Sequence, residues 1–354
     1  MFSVIINFMN KKCIKDLIPL AVLLLLVVVC GIRSKLDANG SGPQSQIETP
    51  SDAEHQAKVD AKTAKAYQPT PEMKILTKKI GLTEKGRVIF YASKPQLLDA
   101  AAFNSKVPDN YDSNAILGYY DHRKIYLYRI NNQDLAGIVE VTMAHEALHA
   151  DWERLTKRER RELIPLLEED YAKIKTDKTE IMLADYAKFE VGQRDNELHS
   201  FLGTEYHHLS PKLEKHYAKY FKDRDKIVGM YEHYQTKIDS IAQQSTQLTA
   251  EVAALKAQID NELPQYETDI SNLNAEIDAF NQQSQADADA EAARERLQEK
   301  VAELVNRQTQ LNGLVAQYNA KTVELDQIAL KASEFNKSIN SKAIDPNQST
   351  KVTS

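Results

Sequence analysis

Between Ile238 and Leu325 the apolar residues of this chain fall three and four positions apart, and that spacing allows little except long helices. The first run holds Ile238, Ile241, Leu248, Val252, Leu255, Ile259, Leu263, Tyr266, Ile270, Leu273, Ile277 and Phe280. Its register shifts once near Pro264, where a kink is expected because proline removes a backbone hydrogen bond. The second run holds Leu297, Val301, Leu304, Leu311, Val315, Tyr318 and Leu325. The polar, acidic segment NQQSQADADAE separates the two. Two arms of similar length around a polar tip predict an antiparallel coiled-coil hairpin over 236–335. A long parallel dimer is the alternative. Arms of this kind bind or space protein partners, or self-associate. Residues 336–354 read as a disordered tail.

The other end of the chain is apolar without periodicity. Leu17–Ile32, LIPLAVLLLLVVVCGI, carries no charge, and as a helix it would span about 24 Å at ~1.5 Å per residue. That is slightly short of a ~30 Å hydrocarbon core, which can thin to fit. Lys11, Lys12 and Lys15 precede it and favour a cytoplasmic N-terminus at 1–16. The expected arrangement is a single-pass anchor with the body outside the cytoplasm, in a bacterial cell envelope. A cleaved signal peptide (a secreted protein) or a lipidated Cys30 are the alternatives, and the valines before Cys30 suit both poorly. Residues 33–70, with GSGPQSQ and Pro69–Pro71, read as a flexible tether. Cys13 and Cys30 are the only cysteines of the 354 residues, so the body has no disulfide frame and no thiolate ligands. A net charge of −6 without a long basic block argues against nucleic acid as a partner.

Residues 71–235 read as an α+β globular domain. Arg87–Ala92 is a strand candidate and 95–104 a helix candidate. Ile116–Tyr120 and Lys124–Ile130 flank Asp121-His122-Arg123 and predict a hairpin. Asp134 is the expected cap of an amphipathic helix through Ile138, Val141, Met143, Leu148 and Trp152. A further helix is expected over 157–175, and another opens at Ser210-Pro211.

The chemistry lies in that capped helix, at His145-Glu146-Ala147-Leu148-His149. Residues i and i+4 sit one turn apart on one face, so His145 and His149 can aim two imidazoles at one ion. Ring nitrogens bind zinc at ~2.0–2.1 Å, which one helical turn between their origins permits. Glu146 lies beside the first ligand, within reach of a water on that ion. Zinc lowers the pKa of such a water to near neutrality, and a carboxylate can take the proton. Trp152, one turn further on, is assigned to core packing.

These residues resemble the zincin metallopeptidases, and within them the gluzincins, which include thermolysin-like enzymes. In that group the third zinc ligand is a Glu on a later helix, within Asn-Glu-x-x-Ser/Ala; here Asn196-Glu197-Leu198-His199-Ser200 matches the wording. The resemblance covers roughly 85–235. It implies a small sheet with the active-site helix, then a helical subdomain. It also implies Zn2+ held by His145, His149 and Glu197, Glu146 as general base, and a peptide or protein substrate; the alternative is an envelope scaffold or adaptor that works through its coiled coil, with an inactive or purely structural zincin-like domain. The gap from His149 to Glu197 is longer than in thermolysin-like enzymes. Phe201 stands where the group often has an Asp supporting a histidine, so that support must come from elsewhere. Glu205 and His199 are the alternative third ligands, with His207 and His208 further behind. The last two are adjacent and point ~100° apart on a helix, so they do not both serve one ion. Tyr206, His207 and His208 are the candidates to stabilise an oxyanion. In zincins an edge strand above the active-site helix pairs with extended peptide, and Ile116–Tyr120 or Ile125–Ile130 would take that part.

Overall fold

The computed structural model describes residues 29–33, 47–107, 116–121, 123–177, 179–181, 183–184, 193–282 and 288–342. They are mostly helical, with a small mixed sheet, an α+β composition. The chain divides into two units, one carrying Ser240–Ala332 and the other Leu25–Asp239 with Ser333–Ser354.

The second of these holds the sheet, in the order β1 (Val29–Arg33), β3 (Ile116–Asp121), β4 (Lys124–Tyr128), β2 (Gln96–Leu98). β3 and β4 form the antiparallel hairpin, with Tyr119 opposite Tyr126 and their rings stacked at 4.8 Å. β1 runs parallel to β3, with Cys30 opposite Gly118, and β2 runs parallel to β4. β1 uses the last residues of the apolar segment expected to anchor the chain at 17–32, while residues 1–28 lie outside the described ones. Among the described residues no helix is long and apolar enough to cross a membrane.

Several helices replace other expectations. The tether expected over 33–70 contains α1, Pro50–Ala66. Its start is specified locally: Thr49 and Asp52 form a reciprocal capping box, and Pro50 occupies the first turn, where its missing N–H costs nothing. Its Ala, Lys and Gln residues favour helix as much as they favour a solvated linker. α2 is Pro71–Lys79 and α3 is Glu84–Ala92. The β-rich wording of Arg87–Ala92 is therefore helical. Thr83 caps it, and one side of it buries Ile89 and Phe90. At Gly86 that helix comes so close to the Tyr220 carbonyl that a Cβ would lie 2.3 Å from its oxygen. The expected helix at 95–104 divides into β2 and the short α4, Ala100–Asn104, capped by Asp99.

The central helix, α5, is Ile138–Trp152. Its cap is Gly137 at φ +100°, not Asp134, which sits in a preceding 3-10 turn over Gln133–Leu135. A side chain at Gly137 would also press on Met230, so glycine is required there twice over. Every residue of α5 except Val139 is buried, so the helix is enclosed rather than amphipathic. α6 (Lys157–Ile174), α7 (Gln193–Glu205) and α8 (Pro211–Tyr217) follow. α9 begins at Arg224 and runs as one helix through Pro264 to Gln282. α10 is Ala288–Ile339. Its last turns belong to the sheet-bearing unit, where Phe335 and Ile339 are buried and the Ser341 hydroxyl donates to Asn104 (2.6 Å). The tail expected from 336 is thus ordered to Lys342, and 343–354 lie outside the described residues.

In the unit carrying Ser240–Ala332, α9 and α10 share two buried clusters. Tyr266, Leu273 and Ile277 meet Leu304 and Leu311, while Val252 and Ile259 meet Tyr318. Glu276 pairs with Lys300, Asp269 with Arg307 and Glu251 with Lys321. One number rises as the other falls, so the two helices run antiparallel. These partly exposed ion pairs set register and add little stability, ~0–1 kcal/mol each.

Candidate metal centre

α5 carries His145 and Glu146 side by side and His149 one turn further on, and α7 brings Glu197 against them. His145 Nε2 lies 3.1 Å from Glu197 Oε1, and His149 Nε2 lies 3.4 Å from Glu197 Oε2. The two imidazole rings stand edge to face at 4.7 Å between centroids. One ligand atom from each of the three residues lies within 4.8 Å of the other two. These buried His and Glu groups can hold a metal ion.

The fit can be tested on unsatisfied atoms. His145 Nε2, His149 Nε2 and Glu197 Oε2 are buried, and none makes a well-formed hydrogen bond. Leaving such atoms unmatched costs about 1–3 kcal/mol each, and more for a charged group. A divalent cation among them would satisfy all three at once, with two nitrogens and one carboxylate as donors. Electrostatics agree. Burial pushes the Glu197 carboxyl up, but the two imidazoles outweigh it and bring the group down to about 2. Burial holds the His145 ring below its usual value despite Glu197. Burial also pulls on His149, but there the nearby Glu197 carboxylate prevails and the ring is raised.

Support for His149 comes from the helix that supplies the carboxylate. Its Nδ1–H donates to Asn196 Oδ1 at 3.0 Å and lies 3.0 Å from Ser200 Oγ. A proton fixed on Nδ1 leaves the Nε2 lone pair facing Glu197 and His145. Phe201, which stands where a supporting Asp was sought, is instead buried and packs edge-on to Tyr206. Asn196→Ala is therefore expected to weaken metal affinity by ~10–100-fold, read by competing zinc between the protein and a chromophoric chelator. Unchanged affinity would remove Asn196 from this role.

Glu146 is fully buried beneath β3. A Cβ on Gly118 would lie 2.6 Å from Thr142 Cγ2 and 3.2 Å from Glu146 Oε1, so the strand crosses α5 at Glu146 and only glycine allows that approach. Neither strand considered for peptide docking is at an edge: β3 lies between β1 and β4, and β4 between β3 and β2.

The remaining candidates have other partners. His199 leaves α7 on a different side, with its Nε2 2.9 Å from His216 Nε2 and its ring against Trp152 and Tyr217. Glu205 interacts with the Tyr231 hydroxyl. His207 reaches Asp225 (2.8 Å) and Glu232 (3.4 Å), and His208, at φ +58°, is exposed beside it. Trp152 is buried, with the Arg160 guanidinium 5.4 Å from its ring. Sequence reading missed Gly118 and the support from Asn196 and Ser200. The last two stand in the NELHS segment itself, but nothing in its wording says which imidazole they reach. No family model, no curated protein and no solved structure matches this chain.

Proposed function

We propose that the chain is a zinc-dependent endopeptidase of the zincin type, gluzincin-like in its ligands. The observation that carries this is Glu197 facing both imidazoles of a helical His-Glu-x-x-His turn, 3.1 and 3.4 Å away. Zinc held by His145, His149 and Glu197 would supply Lewis acidity to a water and to the scissile carbonyl. Glu146 would take the water's proton and deliver it to the leaving amine nitrogen. Its burial shields that proton from bulk exchange. We further read α9 and α10 as a coiled-coil hairpin that binds a protein partner or positions substrate. The apolar segment 17–32, whose last four residues stand in β1, we read as the anchor to a bacterial envelope.

Access must be explained. His145, Glu146, His149 and Glu197 are 4%, 0%, 0% and 2% exposed, so a peptide cannot reach them with the chain as it stands. An extended peptide would add to the β3 edge above Glu146, and β1 occupies that edge. The test compares full-length protein with a chain lacking residues 1–46, both zinc-loaded, on unfolded casein. Cleavage that a chelator abolishes is expected from both, several-fold faster from the shortened chain. If neither form cuts casein or a peptide library with zinc bound, the peptidase reading fails. If the shortened chain is the slower one, β1 is not what closes the site.

A further inference from the structure

We propose that Asp151, His199 and His216 form a second site for a divalent transition metal, one with a structural rather than a catalytic task. One ligand atom from each lies within 4.8 Å of the others, and all three residues are buried. The donors come from the helices that build the first centre. Asp151 follows His149 on α5 and His199 follows Glu197 on α7, each two residues on. Two residues turn a helix by about 200°, so each points away from the first centre. α8 supplies His216.

The distances suit an ion. His199 Nε2 lies 2.9 Å from His216 Nε2, and His216 Nε2 lies 4.0 Å from Asp151 Oδ2. Tetrahedral ligands at ~2.0–2.2 Å from zinc stand ~3.4 Å apart, so shifts of roughly half an ångström bring these two pairs into range, and Asp151 and His199 start within 4.8 Å of each other. Independently of this spacing, Asp151 Oδ2 is buried, faces His216 and makes no well-formed hydrogen bond, while the Tyr220 hydroxyl interacts with the same carboxylate. Of the nearby cations, Lys85 stops at the Tyr220 hydroxyl (3.3 Å) and Arg154 grips Asp60, while Lys219 also lends positive charge to the cluster. Two imidazoles and one carboxylate suit zinc and other divalent first-row ions.

The surroundings decide the task. Trp152 lies 5.4 Å from the His199 ring, Tyr217 stacks on it at 5.4 Å, and Tyr220 lies 5.3 Å from the His216 ring. With aromatic rings packed on both imidazoles and little of the cluster exposed, the place suits a structural ion. An ion here would clamp α5, α7 and α8 together, and it does not depend on the first centre being catalytic.

The competing account of the 2.9 Å contact is a proton shared by the two rings, and metal counting separates the two. Full-length protein loaded with zinc and desalted is expected to retain two equivalents by mass spectrometry. His145→Ala with Glu197→Ala should retain one, and zinc should still raise its melting temperature. His216→Gln should retain one. A single equivalent that His145→Ala with Glu197→Ala abolishes and His216→Gln preserves overturns this site and leaves the peptidase centre intact. A single equivalent with the opposite dependence supports this site and removes metal from the proposed catalytic one. If His216→Gln does not fold, wild type and His145→Ala with Glu197→Ala keep the test sound: no zinc in wild type, or one equivalent that the double variant abolishes, is a refutation.

Discussion

Glu146→Gln should keep its full complement of zinc and lose casein cleavage by ~10²–10⁴-fold, the usual worth of a positioned general base. The replacement keeps the shape of the side chain, which matters because the space is tight. Glu146 is fully buried, and β3 passes so near that a Cβ on Gly118 would touch it. What changes is proton affinity: an amide cannot take a proton from water at neutral pH. Metal should remain because the atoms facing one another are those of His145, His149 and Glu197, not Glu146. Some weakening of metal binding is expected, since Glu146 is one of the negative charges that raise His149. Activity should nevertheless fall far more than occupancy. Equal activity in the variant, with zinc bound, would rule out the proposed proton path. Loss of zinc together with activity would show that Glu146 holds metal rather than moves protons.

How much of this was legible in the sequence depends on how local the signal is. The turn from His145 to His149 can be read directly, because i and i+4 on a helix are neighbours whatever the fold. Glu197 could be singled out only by its wording, since its approach to His145 depends on how α7 meets α5. Its neighbours Asn196 and Ser200 lie on the same helix, yet their grip on His149 Nδ1 is a tertiary fact. The tether that proved to contain α1 is a different case. Thr49-x-x-Asp52 is a capping signal in plain view, but a polar, Ala- and Lys-rich segment fits a linker equally well until its partner is known. Arg87–Ala92 has β-favouring residues, yet Thr83 caps it and Gly86 lets it lie against Tyr220. β1 was illegible for a related reason: an apolar run without periodicity suits a strand or a spanning helix, and only pairing with β3 separates them.

The partner of α1 gives the largest expected effect on stability. Arg154 Nε and Nη2 grip Asp60 Oδ2 and Oδ1 at 2.8 and 3.1 Å, with 6% and 7% of the two side chains exposed. The guanidinium also donates to the Ala150 carbonyl (2.7 Å) and reaches the Tyr120 hydroxyl (3.3 Å), so it ties α1, α5 and β3 together. Arg154→Met preserves the length and most of the packing of the stem but removes the charge, leaving the Asp60 carboxylate buried with Gln56 (2.9 Å) as its remaining side-chain donor. Breaking a buried pair from one side costs about 3–5 kcal/mol, because an unmatched charge stays behind. Set against a domain stability of ~5–15 kcal/mol, that is a large share, readable as a drop in the urea midpoint at constant slope. Arg154→Lys should fall in between, since an ammonium keeps the charge but not the two-pronged geometry. Removing both charges, in Arg154→Met with Asp60→Leu, should recover most of the loss, because two apolar groups need no partner. If Arg154→Met costs under ~1 kcal/mol, the pair behaves as a surface ion pair and α1 is not docked on the end of α5. If the double variant is as unstable as the single one, packing of the stem rather than the stranded carboxylate accounts for the cost.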